Sequence, residues 1–200
     1  LPASDSKFLD LACGKGRHSV YINKKGFDVT GVDLSPESIR KANKSANEHL
    51  RFEVHDMRVP YTNAKFDYIV NLFTSFGYFE SIEENREVLT AAGSALKEKG
   101  ILLIDFMNVN QVLEGLVKAE TQEIEGVKFT ITRQLVDGVI EKKIHIEDGD
   151  KEFDYYERVK ALTRQDFIGM MGQSGFEILD TFGNYNLDAF DASESSRLIL

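Results

Sequence analysis

The stretch FLDLACGKGRHS, residues 8–19, decides the fold because it leads from an apolar strand through a glycine turn into a helix. Its spacing is similar to the dinucleotide fingerprint G-x-G-x-x-G, but the third glycine would fall at Ser19. Asp10 also stands near the end of the predicted strand, where its charge would repel a pyrophosphate. The turn therefore favours a ligand that places a cationic group, rather than a phosphate, beside the carboxylate.

The composition is that of one globular domain. Of the 200 residues, 42% are hydrophobic and 28% are charged, and we expect a single domain over 1–200. The net charge of -9 disfavours nucleic acid and anionic membranes as partners, and no apolar run approaches the ~20 residues of a membrane span. Cys13 is the only cysteine, so no internal disulfide can form and the cytoplasm is the expected location.

Strands and helices alternate in the first half of the chain. Buried strands are predicted at 7–12, 27–34, 50–54, 66–73 and 101–107. Helices are predicted between them at 17–26, 35–49 and 81–100. Repeated strand–helix–strand units imply an α/β fold with a doubly wound, mostly parallel sheet.

The second half changes to antiparallel patterning. Two alternating runs joined by Asp137-Gly138 form a predicted hairpin, and a third strand follows at 151–162. We interpret these three strands, at about 121–162, as an antiparallel insertion after strand five rather than as a second domain. The remaining predicted elements are a helix at 163–175 and two final strands, FEILDTF (176–182) and RLIL (197–200).

Three acids, Asp10, Asp33 and Asp56, follow three successive predicted strands. The carboxyl ends of parallel strands meet at one edge of the sheet, where open α/β folds bind their ligands. Asp33, 17 positions after Gly16, can accept both hydroxyls of a ribose, and Asp56 can accept an adenine amino group. An ammonium group beside Asp10 and a carboxylate on backbone amides beside Arg17 would complete the ligand. S-adenosylmethionine (SAM) has these groups, a sulfonium cation and no phosphate.

The sequence resembles class I SAM-dependent methyltransferases, in their small-molecule branch. The resemblance lies in the order and spacing of four features: the DLACGKG loop, Asp33, the HDM acid and the segment after strand four. The resemblance implies a Rossmann-like fold and SAM as cofactor. The chain departs from the family at Ala12, where a glycine is usual, and lacks the usual N-terminal segment over the cofactor, so we expect a trimmed protein. The residues expected to bind SAM are Asp10, Ala12, Cys13, Gly14, Gly16, Arg17, Asp33, Leu34, Asp56, Met57, Asn71, Leu72 and Phe73.

The segment NLFTSFGYF, residues 71–79, follows strand four and would lie beside the sulfonium. Methyltransferases that act on the base amino groups of nucleic acids resemble one another in an Asn/Asp-Pro-Pro-aromatic motif here, and the absence of proline argues against nucleic acid. Phe76 and Tyr78 are interpreted as an acceptor wall, with ordinary helix-start packing as an equal alternative. Methyl transfer depends mainly on alignment, so no catalytic base is named.

Arg133 shares a predicted strand face with apolar residues, as does Glu157 on the third strand of the insertion. A charge on an apolar face is costly unless it is paired, so an Arg133–Glu157 pair is the first interpretation. The second interpretation directs Arg133 over the cofactor, near Tyr78 and Phe106, where it would bind an anionic group of the acceptor.

Two other classes of protein remain open at this point. A nicotinamide-dependent oxidoreductase would share the fold, although Asp10 and the missing glycine count against it. A catalytically silent SAM-binding protein would share the cofactor residues. Cys13 is interpreted as a packing residue, and no metal-binding motif is recognised. We expect a small-molecule methyl acceptor as partner, and a monomer or homodimer as assembly.

Overall fold

The computed structural model describes residues 2–62 and 65–200. Within them, strands β1 to β10 span Lys7–Leu11, Asp28–Asp33, Leu50–Val54, Phe66–Asn71, Leu96–Met107, Ala119–Ile124, Val127–Val136, Val139–Asp148, Lys151–Lys160 and Arg197–Ile199. Helices α1 to α5 span Arg17–Lys24, Pro36–Ala42, Ile82–Ala95, Val109–Glu114 and Arg164–Gln173.

The main sheet has six strands in the order β10-β5-β4-β1-β2-β3. Neighbouring strands run parallel except β10, which is antiparallel to β5. The short apolar run of β1 lies at the centre of this sheet, where residues 8–11 are buried. Helices α3 and α5 pack on one face, through Leu89 and Phe167, and α2 packs on the other through Ile39. The predicted α/β fold with a doubly wound, mostly parallel sheet is confirmed.

Capping residues fix the starts of the helices, and two helices end earlier than predicted. Ser35 accepts a hydrogen bond from the Ser38 backbone N–H at the start of α2, and Ser81 and Glu84 form a capping box at the start of α3. Helix α2 gives way after Ala42 to a 3₁₀ turn at Asn43–Ser45, and Asn and Ser are residues that favour helix ends over helix interiors. Helix α3 stops at Ala95 because β5 begins directly after it.

The insertion is a separate antiparallel sheet of four strands, β6-β7-β8-β9, and the prediction of three strands is therefore wrong. The additional strand, β6, pairs with β7 from Ala119 opposite Thr132 to Ile124 opposite Val127. Five of its six residues are exposed, so its sequence AETQEI lacks the alternation that marks a strand with one buried face. The hairpin at Asp137-Gly138 is confirmed, and both residues have the positive φ of a tight type I′ turn.

The carboxyl-terminal segment also departs from the prediction. RLIL forms β10 as predicted, but residues 176–182 are not a strand. Among them only Phe182 makes isolated bridges, to Ala189 and to Ile199 of β10. Among the residues that the structure describes, no helix has the length and apolar character needed to cross a membrane.

Candidate functional site

A cavity of about 550 Å³ opens at the carboxyl ends of the first four strands, at the edge of the sheet where α/β folds bind ligands. Seven of the residues predicted to bind the cofactor line it, and so does Tyr78 from the predicted acceptor wall. The lining residues are Ala12, Gly14, Asp33, Leu34, His55, Asp56, Met57, Phe73, Thr74, Ser75, Tyr78 and Phe79.

The glycine loop shapes the floor of this cavity through its backbone. Ala12, Gly14 and Gly16 have φ of 59°, 57° and 82°, so the chain turns through left-handed conformations between β1 and α1. A Cβ at Gly14 would meet nothing within 4 Å, whereas one at Gly16 would lie 2.6 Å from the Phe52 ring. Gly14 therefore faces open space beside the cavity, and Gly16 allows close packing of the loop. Ala12 keeps the left-handed conformation at a cost of about 1 kcal/mol.

Asp33 is held rigidly at the cavity wall. Its Oδ2 accepts a hydrogen bond from the Gly14 backbone N–H at 2.8 Å, and its Oδ1 accepts one from the Ser35 backbone N–H at 2.9 Å. An ionised carboxylate has about four acceptor sites, so each oxygen keeps a free lone pair. Asp33 can therefore accept the two hydroxyls of a ribose without giving up its structural contacts.

Asp56 lies in the same wall but is more heavily engaged. The Arg58 guanidinium donates to both of its oxygens, at 2.6 Å and 3.1 Å, and also pairs with Glu84 at 2.7 Å. The hydrogen bonds from Arg58 lower the pKa of Asp56, so the carboxylate is ionised. Leu34 and Met57, which also line the cavity, supply apolar surface on which an adenine ring can pack.

Asp10 does not reach the cavity. The expected contact between its carboxylate and the ammonium group of a ligand is therefore wrong. Its side chain is 1% exposed and accepts a hydrogen bond from Ser19 Oγ at 2.6 Å. Burial raises the pKa of Asp10 to about 6, and the Ser19 hydrogen bond opposes that shift only in part. Asp10 therefore fastens α1 to β1 beneath the loop.

The other predicted cofactor residues lie behind or beside the cavity. Cys13 is buried in the core beneath α2, and burial raises the pKa of its thiol, which agrees with a packing role. Asn71 donates from Nδ2 to the Leu11 carbonyl at 3.0 Å, while its buried Oδ1 accepts no hydrogen bond from any described residue. Leu72 and Arg17 line a neighbouring cleft, where the guanidinium lies 5.0 Å from the centre of the Phe73 ring.

The predicted acceptor wall is only partly correct. Tyr78 is half exposed at the cavity, and burial, followed by the nearby Glu157 carboxylate, raises the pKa of its hydroxyl. Phe76 and Phe106 are 1% and 0% exposed and both contact the Phe167 ring, so they belong to the core and cannot touch an acceptor. For Phe76 the packing alternative is the correct one.

Arg133 fits neither interpretation made from the sequence. Its Nη2 pairs with Glu120 Oε1 at 2.6 Å, and the side chain lines a cleft of the insertion rather than the cofactor cavity. The pair with Glu157 does not form, because Lys142 of β8 lies between the two strands and binds Glu157 at 3.1 Å. Glu120 belongs to β6, the strand that the sequence pattern did not reveal.

The sequence analysis missed several cavity residues. Thr74, Ser75 and Phe79 belong to the segment identified after strand four, but they were not singled out within it. Outside the lining, the analysis also missed the buried Asp105 and the partly buried Arg197, which form an ion pair at 2.8 Å. Both stand in apolar strand sequences, where a charged residue indicates a paired charge.

Comparisons with known proteins identify the family of this chain. A family model described as a methyltransferase domain matches residues 2–161. A glycine/sarcosine N-methyltransferase from Aphanothece halophytica is 30% identical over 193 residues, which cover 90% of this chain and 69% of that protein. A crystal structure of a SAM-dependent methyltransferase from Clostridium acetobutylicum is 25% identical, with a TM-score of 0.85 over 96% of this chain and 81% of that one.

The donor set of the cavity fits SAM. Two carboxylates, apolar surface and backbone turns suit a ribose, an adenine and a zwitterionic amino acid, and the acids disfavour a pyrophosphate. The oxidoreductase and the silent SAM-binding protein considered from the sequence are both set aside by the family match. The chain belongs to the methyltransferase domain family, as a class I enzyme that uses SAM as its cofactor.

Proposed function

We propose that this enzyme transfers a methyl group from SAM to the amino group of a small molecule. The observation that carries the proposal is Tyr78, which lines the cavity. Its phenol is neutral at physiological pH, since the ordinary pKa of a tyrosine is about 10 and burial raises that of Tyr78 further. A neutral hydroxyl can orient an acceptor but is a poor base. A neutral amine attacks a sulfonium without prior loss of a proton, whereas a hydroxyl acceptor needs a base.

The relatives support an amine acceptor. Besides the glycine/sarcosine enzyme, a Streptomyces venezuelae protein that is 29% identical over 122 residues is named as an N,N-dimethyltransferase of a dTDP-linked amino sugar. That match covers 60% of this chain and 51% of that protein. It supports nitrogen as the methylated atom and does not identify one acceptor.

We place SAM along the cavity wall on the chemistry of its residues. Asp33 accepts the ribose hydroxyls, Asp56 faces the adenine amino group, and Leu34 and Met57 pack on the ring. The bound cofactor supplies a methyl group on a sulfonium. The protein contributes alignment, which can lower a barrier by about 7–11 kcal/mol. Exclusion of water and the hydroxyl of Tyr78 add to it.

The proposal also covers the domain organisation, location and assembly of the enzyme. We propose that residues 1–200 act as one domain in which the antiparallel sheet is an insertion, and that the enzyme works in the cytoplasm as a monomer or homodimer. The net charge of -9 supports a small-molecule acceptor over nucleic acid or an anionic membrane surface.

An acceptor assay tests the amine directly. Glycine, sarcosine and a 3-amino sugar are each incubated with enzyme and SAM, alongside glycolate, which replaces the amino group of glycine with a hydroxyl. We expect release of S-adenosylhomocysteine and a methylated product, seen by mass spectrometry, with at least one amine and none with glycolate. Methylation of glycolate, with no amine methylated, would contradict the proposal.

A further inference from the structure

The loop after β4 holds two consecutive residues, neither of them glycine, in the left-handed conformation. Phe73 has φ of 62° and Thr74 has φ of 60°. This region is sterically unfavourable for residues with a Cβ, and most of all for β-branched residues such as threonine. Such strain costs about 1–3 kcal/mol per residue and persists only where the surroundings impose it. The structure must therefore contain groups that hold this pair.

One residue of the adjacent strand binds both backbone N–H groups of the pair. Asp105 of β5 accepts a hydrogen bond from the Phe73 N–H through Oδ2 at 3.0 Å and from the Thr74 N–H through its carbonyl oxygen at 2.9 Å. Asp105 is 4% exposed, so water does not compete for these bonds. If the pair relaxed towards a right-handed or extended conformation, both amides would leave their buried acceptors.

The Asp105 carboxylate is itself held from two further parts of the chain. Arg197 of β10 donates from Nε to Oδ1 at 2.8 Å and from Nη2 to the hydroxyl oxygen of Thr74 at 3.0 Å. The Tyr185 hydroxyl donates to Oδ2 at 3.1 Å. Arg197 therefore binds both Asp105 and Thr74. The hydrogen bond between its guanidinium and the Asp105 carboxylate is charge-assisted, and such bonds are among the stronger ones in proteins.

The held pair is part of the wall of the cofactor cavity, in the segment after β4 that we place beside the sulfonium. Thr74 and Ser75 line the cavity, and the exposed ring of Phe73 separates it from the neighbouring cleft of about 540 Å³. The loop is fixed beyond this point as well, because Phe76 is buried in the core. The backbone conformation of Phe73 and Thr74 thus determines the position of this wall of the cavity.

We propose that Asp105 and Arg197 are positioning residues, which hold Phe73 and Thr74 in the left-handed conformation and thereby set the cavity wall beside the sulfonium. They act through the loop and touch neither cofactor nor acceptor. The proposal rests on the placement of SAM given above.

The test replaces Asp105 and a matched acid on the neighbouring strand. Asp67 of β4 also accepts bonds from a backbone N–H, that of Lys7, and from a cation, Lys97, but it lies at the opposite end of the sheet. Asp105→Asn should weaken binding of S-adenosylhomocysteine about tenfold by calorimetry, equivalent to about 1.4 kcal/mol, and should speed amide exchange in residues 71–77. Asp67→Asn should change neither.

A second substitution separates positioning from general stabilisation. Glycine adopts a positive φ without steric cost, so Asp105→Asn should weaken binding less than about threefold when made in a Thr74→Gly background. Equal losses in both backgrounds, or unchanged affinity and exchange in Asp105→Asn, would overturn the proposal. If Asp105→Asn does not fold, Arg197→Lys is compared in the same two backgrounds.

The same calorimetry distinguishes this proposal from the placement of SAM. If Asp33→Ala weakens binding while Asp105→Asn does not, the positioning role alone is wrong. If neither substitution matters, the placement of the cofactor is wrong.

Discussion

Asp10 and Asp33 lie on neighbouring parallel strands, yet their carboxylates have different surroundings. Asp33 faces the cavity with free acceptor capacity, whereas Asp10 is buried against α1 with one hydroxyl partner. Sequence position alone could not separate them, because both acids occur near strand ends beside the glycine loop. The difference arises from the direction of each side chain, which depends on how α1 packs over β1.

The buried carboxyl of Asp10 makes stability depend on pH. The pKa of Asp10 in the folded protein, about 6, lies above its ordinary value of 3.8, so the protonated form is favoured by folding. This contribution is complete below about pH 4 and is lost as the pH rises through 6, by about 3 kcal/mol in total. Asp10→Asn keeps the acceptor for Ser19 and carries no charge. Its stability relative to wild type, from urea unfolding, should therefore improve by about that amount between pH 4 and pH 7. A constant difference across this range would show that Asp10 is not buried as described.

At the scale of secondary structure, the patterns identified elements with a buried face and missed those without one. The strands of the parallel sheet were recognised because apolar runs lie between glycine or capping signals. Strand β6 is exposed at five of six positions, and residues 176–182 have strand-like apolar residues but make isolated bridges only at Phe182. Strand β6 forms through a two-residue turn at Glu125-Gly126, and the pairing of residues 176–182 depends on the distant β10, so the pattern of apolar residues reveals neither.

The missed strand explains why the role of Arg133 was misjudged. Its partner, Glu120, lies on β6, and both side chains are partly exposed. Arg133→Met should therefore lower the free energy of unfolding by no more than about 1 kcal/mol and leave cofactor affinity and turnover unchanged. In a Glu120→Gln background the same substitution should cost nothing further, as measured by thermal unfolding. A loss of turnover without a loss of stability would return Arg133 to the acceptor site.

At the scale of the whole molecule, the sequence predicted the architecture and the cofactor more reliably than the acceptor side of the site. Seven of the predicted cofactor residues line one cavity because they lie at strand ends, and the topology of a parallel sheet brings strand ends together. Phe76 and Phe106 were misassigned because an aromatic residue has the same pattern in a core as in a binding wall.

The measurement that tests the SAM site most directly is calorimetric titration of the enzyme with SAM and with NAD. Wild type should bind SAM and not NAD. Asp33→Ala should weaken SAM binding by roughly 2–3 kcal/mol through the loss of two hydrogen bonds to a ribose. Asp28→Ala, at the other end of the same strand, is the matched control and should bind SAM as wild type does. Tight binding of NAD, or undiminished binding of SAM by Asp33→Ala, would contradict the site described.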